Sequence, residues 1–251
     1  MAIAEPTCRV LAEGEGGLVF EFGDAIDPAV NARVHRLAEA VRRGLGRDVL
    51  EVVPTYRSLL VLFDPLQVRR ERLSLAIEAL VPGLLLEEGP TRAARVVRVP
   101  VCYGGARGPD LEFVAAHNRI PAEEVVALHA SASYLVFMLG FTPGFPYLGG
   151  MSGRIAAPRL PTPRTRIPAG SVGIAGAQTG IYPVESPGGW RLIGQTPLRL
   201  FDPRRSPPFL LSAGDRLRFF PVEEREWADV AERVEAGSYR PEVEVEERGA
   251  P

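Results

Sequence analysis

Apolar runs and periodic stripes divide the chain near residue 92. Before that point "GLVFEFG" reads as a short strand, and Asp27-Pro28 supplies an N-cap followed by proline at the first helical position. Val30, Val34, Leu37, Val41 and Leu45 then recur at helical spacing, with Gly44 and Gly46 as the stop. "VLEVVP" and "SLLVLF" read as two strands around "TYR". Asp64-Pro65 repeats the helix-start signal before Leu66, Leu73, Ile77 and Leu80, and Pro82-Gly83 is the expected end. With "LLLEE" as closing strand, this order predicts a ferredoxin-like split β-α-β unit over residues 1–92, linked onward by "GPTRAAR".

Beyond the linker the periods change. "RVVRVPVCY" is a strand pattern, two short helices follow from Asp110 and from Pro121 to about His129, and "SYLVFMLGF" is again strand-like. From 140 to 221 glycine and proline punctuate short apolar runs: "SVGIAG", "GIYPV", "WRLIG", "LRLF" and "RLRFFPV". That texture predicts an all-β barrel or sandwich over residues 93–222, giving an α+β chain. Residues 223–251 read as an amphipathic helix to Glu235 and a polar tail, "EVEVEERGAP", expected to fray. "GFTPGFPYLGGM", residues 140–151, reads as a loop in which Pro143 and Pro146 hold Phe145 and Tyr147 toward a substrate pocket, a partner protein or the core.

Composition narrows the chemistry. With 46% hydrophobic and 24% charged residues, the 251-residue chain can bury a real core. A net charge of −2 gives no bulk attraction for nucleic acid or an acidic membrane. All 29 basic residues are arginine, which excludes a Schiff-base lysine and a P-loop lysine. Cys8 and Cys102 lack CxxC spacing and suit a reducing cytoplasm, and no apolar run reaches membrane-spanning length. GxxxxGK[ST], HExxH and GxSxG are absent, and His35, His117 and His129 have no second ligand at metal spacing, so no metal site is expected.

Candidate chemistry concentrates in residues 163–194. Arg164 and Arg166 alternate, so in a strand they share a face where guanidinium forks would hold carboxylate or phosphate, or else form a solvated edge. The glycines of "AGSVGIAGAQTG" mark a close backbone approach, to a ligand or at a barrel corner. Gln178, Tyr182 and Glu185 bring an amide, a phenol and a carboxylate together. Beside Trp190, Glu185 is either a partly desolvated acid/base group or part of a capped turn. His129, at a helix C-terminus that favours imidazolium, is a structural histidine or a further catalytic candidate. Asp110 caps its helix in this reading, and Tyr103 just upstream is a candidate pocket residue.

"VPVCYGGARGPDLEFVA", "LHASASYLVFMLGFTPGFPYLGGM", "PRTRIPAGSVGIAGAQTGIYPVESPGGWRLIGQTPLRLFDP" and "EVVPTYRSLLVLFDP" together resemble the 5-oxoprolinase B-subunit family, over about residues 15–221. That family includes Kip-type (KipI) sensor-kinase inhibitors and also carries the name allophanate hydrolase subunit 1. The resemblance implies a small α+β domain followed by a cyclophilin-like barrel. It also implies ATP-dependent opening of 5-oxoproline (pyroglutamate) to glutamate, with two partners: a cyclophilin-like C subunit and a metal-dependent-hydrolase-like A subunit. Phe145, Tyr147, Arg164, Arg166, Gln178, Tyr182, Glu185 and Trp190 fall within the matching strings. In that chemistry Arg164 and Arg166 would supply cations, Glu185 a base for water, and Phe145 with Tyr147 the pocket for the ring. ATP and Mg²⁺ would be held by arginine and backbone amides here, or by a partner. The alternative within the family is a non-catalytic module that docks on the helical dimerisation domain of a sensor histidine kinase.

Overall fold

The structure, a computed structural model, describes residues 8–84 and 95–245. The chain forms two compact units, residues 1–92 and 93–251.

In the first unit, β1 (Arg9–Glu13) and β2 (Gly17–Glu21) form a hairpin, followed by α1 (Pro28–Leu45), β3 (Glu51–Pro54), β4 (Ser58–Leu62), α2 (Arg70–Glu78) and the short α3 (Val81–Leu84). The sheet order is β1-β2-β4-β3, with each neighbouring pair antiparallel. Strands β2 and β3 therefore run parallel on either side of β4, which is the split β-α-β. Asp27 builds α1 as its position predicts: Oδ1 accepts the Ala29 and Val30 N–H groups at 2.8 and 3.0 Å. Val34, Leu37 and Val41 on α1 pack against Leu18, Phe20, Leu59 and Val61, the alternate residues of the two central strands.

Four expectations for this unit need correction. The strand beside β2 is β1, which precedes the split unit, so the full ferredoxin-like order is not observed. Of the predicted closing strand "LLLEE", Leu84 ends α3 and residues 85–88 lie outside the described residues. Asp64 caps a turn rather than a helix: Oδ1 accepts Leu66 N–H at 2.9 Å, Leu66 is 90% exposed, and α2 starts only at Arg70. Pro82-Gly83 lies inside α3, where proline near a helix start loses no hydrogen bond.

The second unit runs β5 (Arg95–Tyr103), α4 (Leu111–Asn118), α5 (Ala122–Ser131), β6 (Tyr134–Gly140), β7 (Phe145–Gly149), β8 (Arg164–Ile167), β9 (Ser171–Ala175), β10 (Gln178–Ile181), β11 (Ser186–Gly188), β12 (Arg191–Gln195), β13 (Arg216–Pro221), α6 (Glu224–Glu235) and β14 (Val243–Val245). Strands β12-β9-β10-β7-β6-β13-β5 close into a barrel of seven through the β12–β5 pairing. This closed barrel fits the cyclophilin-like expectation. Val99, Val101, Tyr134, Ile174, Ile181, Ile193 and Leu217 fill it, and α4 and α5 add Leu111, Val114 and Val125. Each such side chain contributes about 1.5–3 kcal/mol on burial.

Two further corrections belong here. Part of the predicted loop 140–151 is strand β7, paired antiparallel with β6. The tail does not simply fray: β14 pairs antiparallel with β5, Val243 opposite Val97, while residues 246–251 lie outside the described residues. Helix α6 is clamped near the barrel closure. Arg107 lies 3.2 Å from the Trp227 ring centroid, donates to Glu224 and to Gln195 Oε1, and Trp227 Nε1 donates to the Gln195 carbonyl at 2.9 Å.

Candidate functional site

Alternation along the barrel strands sorts side chains to two faces. Ile174, Ile181 and Ile193 point inward, whereas their neighbours Ala175, Tyr182 and Leu192 join Phe145, Ile167 and Trp190 in a separate apolar cluster. Phe145 is its hub, edge-on to Phe141, Tyr147, Tyr182 and Trp190 at centroid distances of 5.6, 5.2, 5.4 and 5.5 Å. The glycines of this region make room for those rings. A Cβ on Gly180 would lie 2.9 Å from the Phe145 ring, and one on Gly188 would lie 2.4 Å from the Tyr182 hydroxyl. Within "AGSVGIAGAQTG" the close approach is to aromatic residues at Gly173 and Gly180 and to the Thr196 carbonyl at Gly170.

The same geometry changes the aromatic candidates. Phe145 is 2% exposed, so it is core rather than presented surface, and Tyr182 and Trp190 are buried beside it. Tyr147 is half-buried, and Phe141 stands exposed at the β6–β7 tip with φ +62°. Burial raises the Tyr147 and Tyr182 phenols, and the positive charge of Arg159 opposes the rise in both. Arg159 escaped the sequence reading because nothing local ties it to residues 147 and 182. Gln178 begins β10 opposite Ala175, partly exposed.

Strands β8 and β11 form a two-stranded ribbon over this cluster, with Ile167 facing in. On the ribbon Arg166 Nε meets Glu185 Oε2 at 2.7 Å, with side chains 76% and 50% exposed. Glu185 is thus a solvated carboxylate in this chain rather than the partly desolvated group that is one of its two readings, because the ribbon turns it outward. Arg164 does not share a task with Arg166. Its guanidinium holds Asp110 (Nη2 to Oδ1 3.0 Å, Nη1 to Oδ2 2.9 Å), and the ribbon register shifts between Ser186 and Gly188. Asp110 makes no side-chain cap. Nearly buried, it also accepts Leu192 N–H at 2.7 Å and lies 3.8 Å from Arg191, whose guanidinium covers Phe113. Ser186 Oγ and Thr142 Oγ1 are buried without a hydrogen-bond partner among the described residues, polar atoms that composition gives no way to single out.

His129 lies elsewhere, inside the second unit and fully buried. Tyr103 O–H donates to Nδ1 at 2.8 Å, Nε2–H donates to Thr179 Oγ1 at 2.9 Å, and that hydroxyl donates to the Gly173 carbonyl at 3.0 Å. The chain of donors assigns the Nε2–H tautomer. Burial pushes its pKa down to about 3, so the imidazolium expected at a helix C-terminus is not formed. Tyr103 and His129 are thereby tied into a core network rather than the ribbon face.

The comparisons with known proteins fall on this geometry. The family model described as "Carboxyltransferase domain, subdomain C and D" matches residues 8–211. The B subunit of 5-oxoprolinase from Bacillus subtilis is 46% identical over 222 residues, which cover 85% of this chain and 92% of that one. The chain belongs to the 5-oxoprolinase B-subunit family. A solved chain, TTHA0988, is 41% identical with a TM-score of 0.71, and the match covers 83% of this chain but 40% of that longer one. The urea amidolyase of Kluyveromyces lactis shares the fold, with a TM-score of 0.83 at 23% identity over 97% of this chain and 16% of its own.

In this member of the 5-oxoprolinase B-subunit family, the ring cluster, the β8–β11 ribbon and the Asp110–Arg164 clamp form one face of the barrel. The family strings quoted from the sequence contain the hub Phe145, the exposed pair Arg166 and Glu185, and the orphan hydroxyls of Thr142 and Ser186.

Proposed function

We propose that this chain is the B subunit of a cytoplasmic ATP-dependent 5-oxoprolinase, opening 5-oxoproline to L-glutamate together with the A and C subunits. The carrying observation is 46% identity across 92% of the Bacillus subtilis B subunit of 5-oxoprolinase. The reaction cleaves the lactam C–N bond, consuming ATP and two waters and releasing glutamate, ADP and phosphate.

The open ribbon face supports a site that a partner protein completes. Arg166 and Glu185 lie in water in this chain, where an ion pair contributes little, about 0–1 kcal/mol. Covering the ribbon would lower the local dielectric and strengthen both charges. Arg166 then offers its fork to the carboxylate of 5-oxoproline, and Glu185 accepts a proton from the attacking water. Among the described residues no three His, Cys, Asp or Glu side chains converge, and Mg²⁺, which is commonly held by one or two carboxylates together with substrate phosphates, would enter with the phosphates of ATP. TTHA0988, in which the matching region is 40% of a longer chain, is consistent with a module that works joined to others.

The test is reconstitution: the A, B and C subunits are mixed with ATP, Mg²⁺ and 5-oxoproline, and glutamate is measured. The complete set should turn over, and Glu185→Gln and Arg166→Ala should each abolish turnover while the three proteins still co-elute. Absence of glutamate from the complete wild-type set would overturn the assignment. Inhibition of a sensor kinase's autophosphorylation by the chain alone would then support the kinase-inhibitor alternative.

A further inference from the structure

The loop after β12 carries an arginine cluster that the site above does not use. Arg199, Arg204 and Arg205, with Arg240 beyond α6, line a cavity of about 340 Å³ together with Asp202 and Glu235. Four guanidinium groups against two carboxylates leave an excess of two positive charges. The carboxylates are already committed. Asp202 is paired with Arg204 at 3.1 Å and lies 3.9 Å from Arg199, and Glu235 pairs with Arg199.

The other two arginines have no carboxylate partner among the described residues. Arg205 donates only to backbone carbonyls, of Arg199, Leu200, Pro207 and Pro208, which fixes the shape of the loop. Among the described residues Arg240 donates through Nη1 alone, to the carbonyls of Gly237 and Tyr239, which leaves Nε and Nη2 available as donors. Leu210, Val234 and Tyr239 complete the wall and give the cavity an apolar side. A cavity of this size with convergent guanidinium forks has the makings of a small-molecule anion site.

We propose that this cavity binds a phosphate-type oxyanion carrying about two negative charges, either free or as the phosphate end of a nucleotide. Arg240 grips it through Nε and Nη2, Arg204 adds the Nη1 that its fork on Asp202 leaves over, and Arg205 is the residue that positions the loop. The proposal concerns this chain alone and does not depend on its being part of an oxoprolinase.

Calorimetric titration of the full chain with inorganic pyrophosphate, with ATP and with succinate tests it. Pyrophosphate and ATP should each saturate one site and compete with one another, and binding should weaken as salt is raised. Arg240→Gln and Arg204→Gln should each lower affinity at least about tenfold, the loss of one charge-assisted hydrogen bond. Arg43→Gln, exposed on α1 of the other unit, should bind as the wild type does. No saturable heat with either phosphate, unchanged affinity in both variants, or succinate binding as tightly as pyrophosphate would each overturn the proposal. None of those results would alter glutamate formation by the assembled complex, so the two readings fail separately.

Discussion

Acidification between pH 6.5 and about 3 should unfold the second unit by a route that runs through one residue, His129. Its imidazole is fully buried and neutral, with a pKa pushed down to about 3, whereas in the unfolded chain it returns to its ordinary value near 6.5. Over that window the unfolded state binds a proton that the folded state refuses. The stability it contributes is fully present above pH 6.5 and falls at about 1.4 kcal/mol per pH unit as pH drops toward 3. At pH 4.5 the loss from this residue is about 2.7 kcal/mol, a large share of the ~5–15 kcal/mol typical of a domain. Trp190 and Trp227 both lie in the second unit, so tryptophan fluorescence during urea unfolding reports on it alone. In His129→Gln the slope between pH 6.5 and 4.5 should shrink by about 1.4 kcal/mol per unit relative to wild type. The variant should also be less stable at pH 7.5 by about 1–3 kcal/mol, since Tyr103 loses its acceptor. Other titrating groups are common to both proteins and cancel in the difference. Parallel pH profiles for the two proteins would refute the reasoning, because they would mean that His129 carries a proton in the folded chain.

Two further outcomes follow from the site. Asp110→Ala strands Arg164, Arg191 and the Leu192 N–H around an empty position and should cost about 3–5 kcal/mol by thermal unfolding, with Asp110→Asn milder; a cost under about 1 kcal/mol would show that the clamp is not formed. Gly180→Ala pushes a methyl into the Phe145 ring and toward Trp190, so it should destabilise by about 1–3 kcal/mol and shift tryptophan emission, whereas an unchanged spectrum and stability would contradict the ring packing.

What could be read from sequence depended on whether the signal was local. Helix α1 was legible because a cap, a proline and an apolar stripe all lie within 18 residues, and β5 was legible because its nine residues are almost continuously apolar and buried. Strand β1 escaped because, as an edge, it is mostly exposed and its polar and apolar residues do not alternate cleanly. Strand β7 looks like loop in the sequence because Pro146 and Gly149 are turn residues, although Pro146 stands in register opposite Leu139 of β6. At the site the ring-bearing residues were legible as a group, but their burial was not. Period-2 alternation separates the two faces of a strand; it does not say that the β8–β11 ribbon then covers the outer one. The Asp110–Arg164 pair joins residues 54 apart and exists only through the fold.

The barrel closure sets a temporal order on this unit. Strand β5 is the first of its strands to be synthesised, yet its partners β12, β13 and β14 all arrive after residue 190. Strands β6 and β7, by contrast, pair as soon as their hairpin is made. During synthesis the longest strand of the barrel therefore waits with both edges open while its later neighbours emerge, which makes β5 the segment most exposed to mispairing. The seam it finally makes with β12 is only two residue pairs long, Gly194 with Tyr103 and Gln195 with Cys102. The strand that begins the barrel is the last to be enclosed, and α6, arriving after it, acts as the latch on that seam.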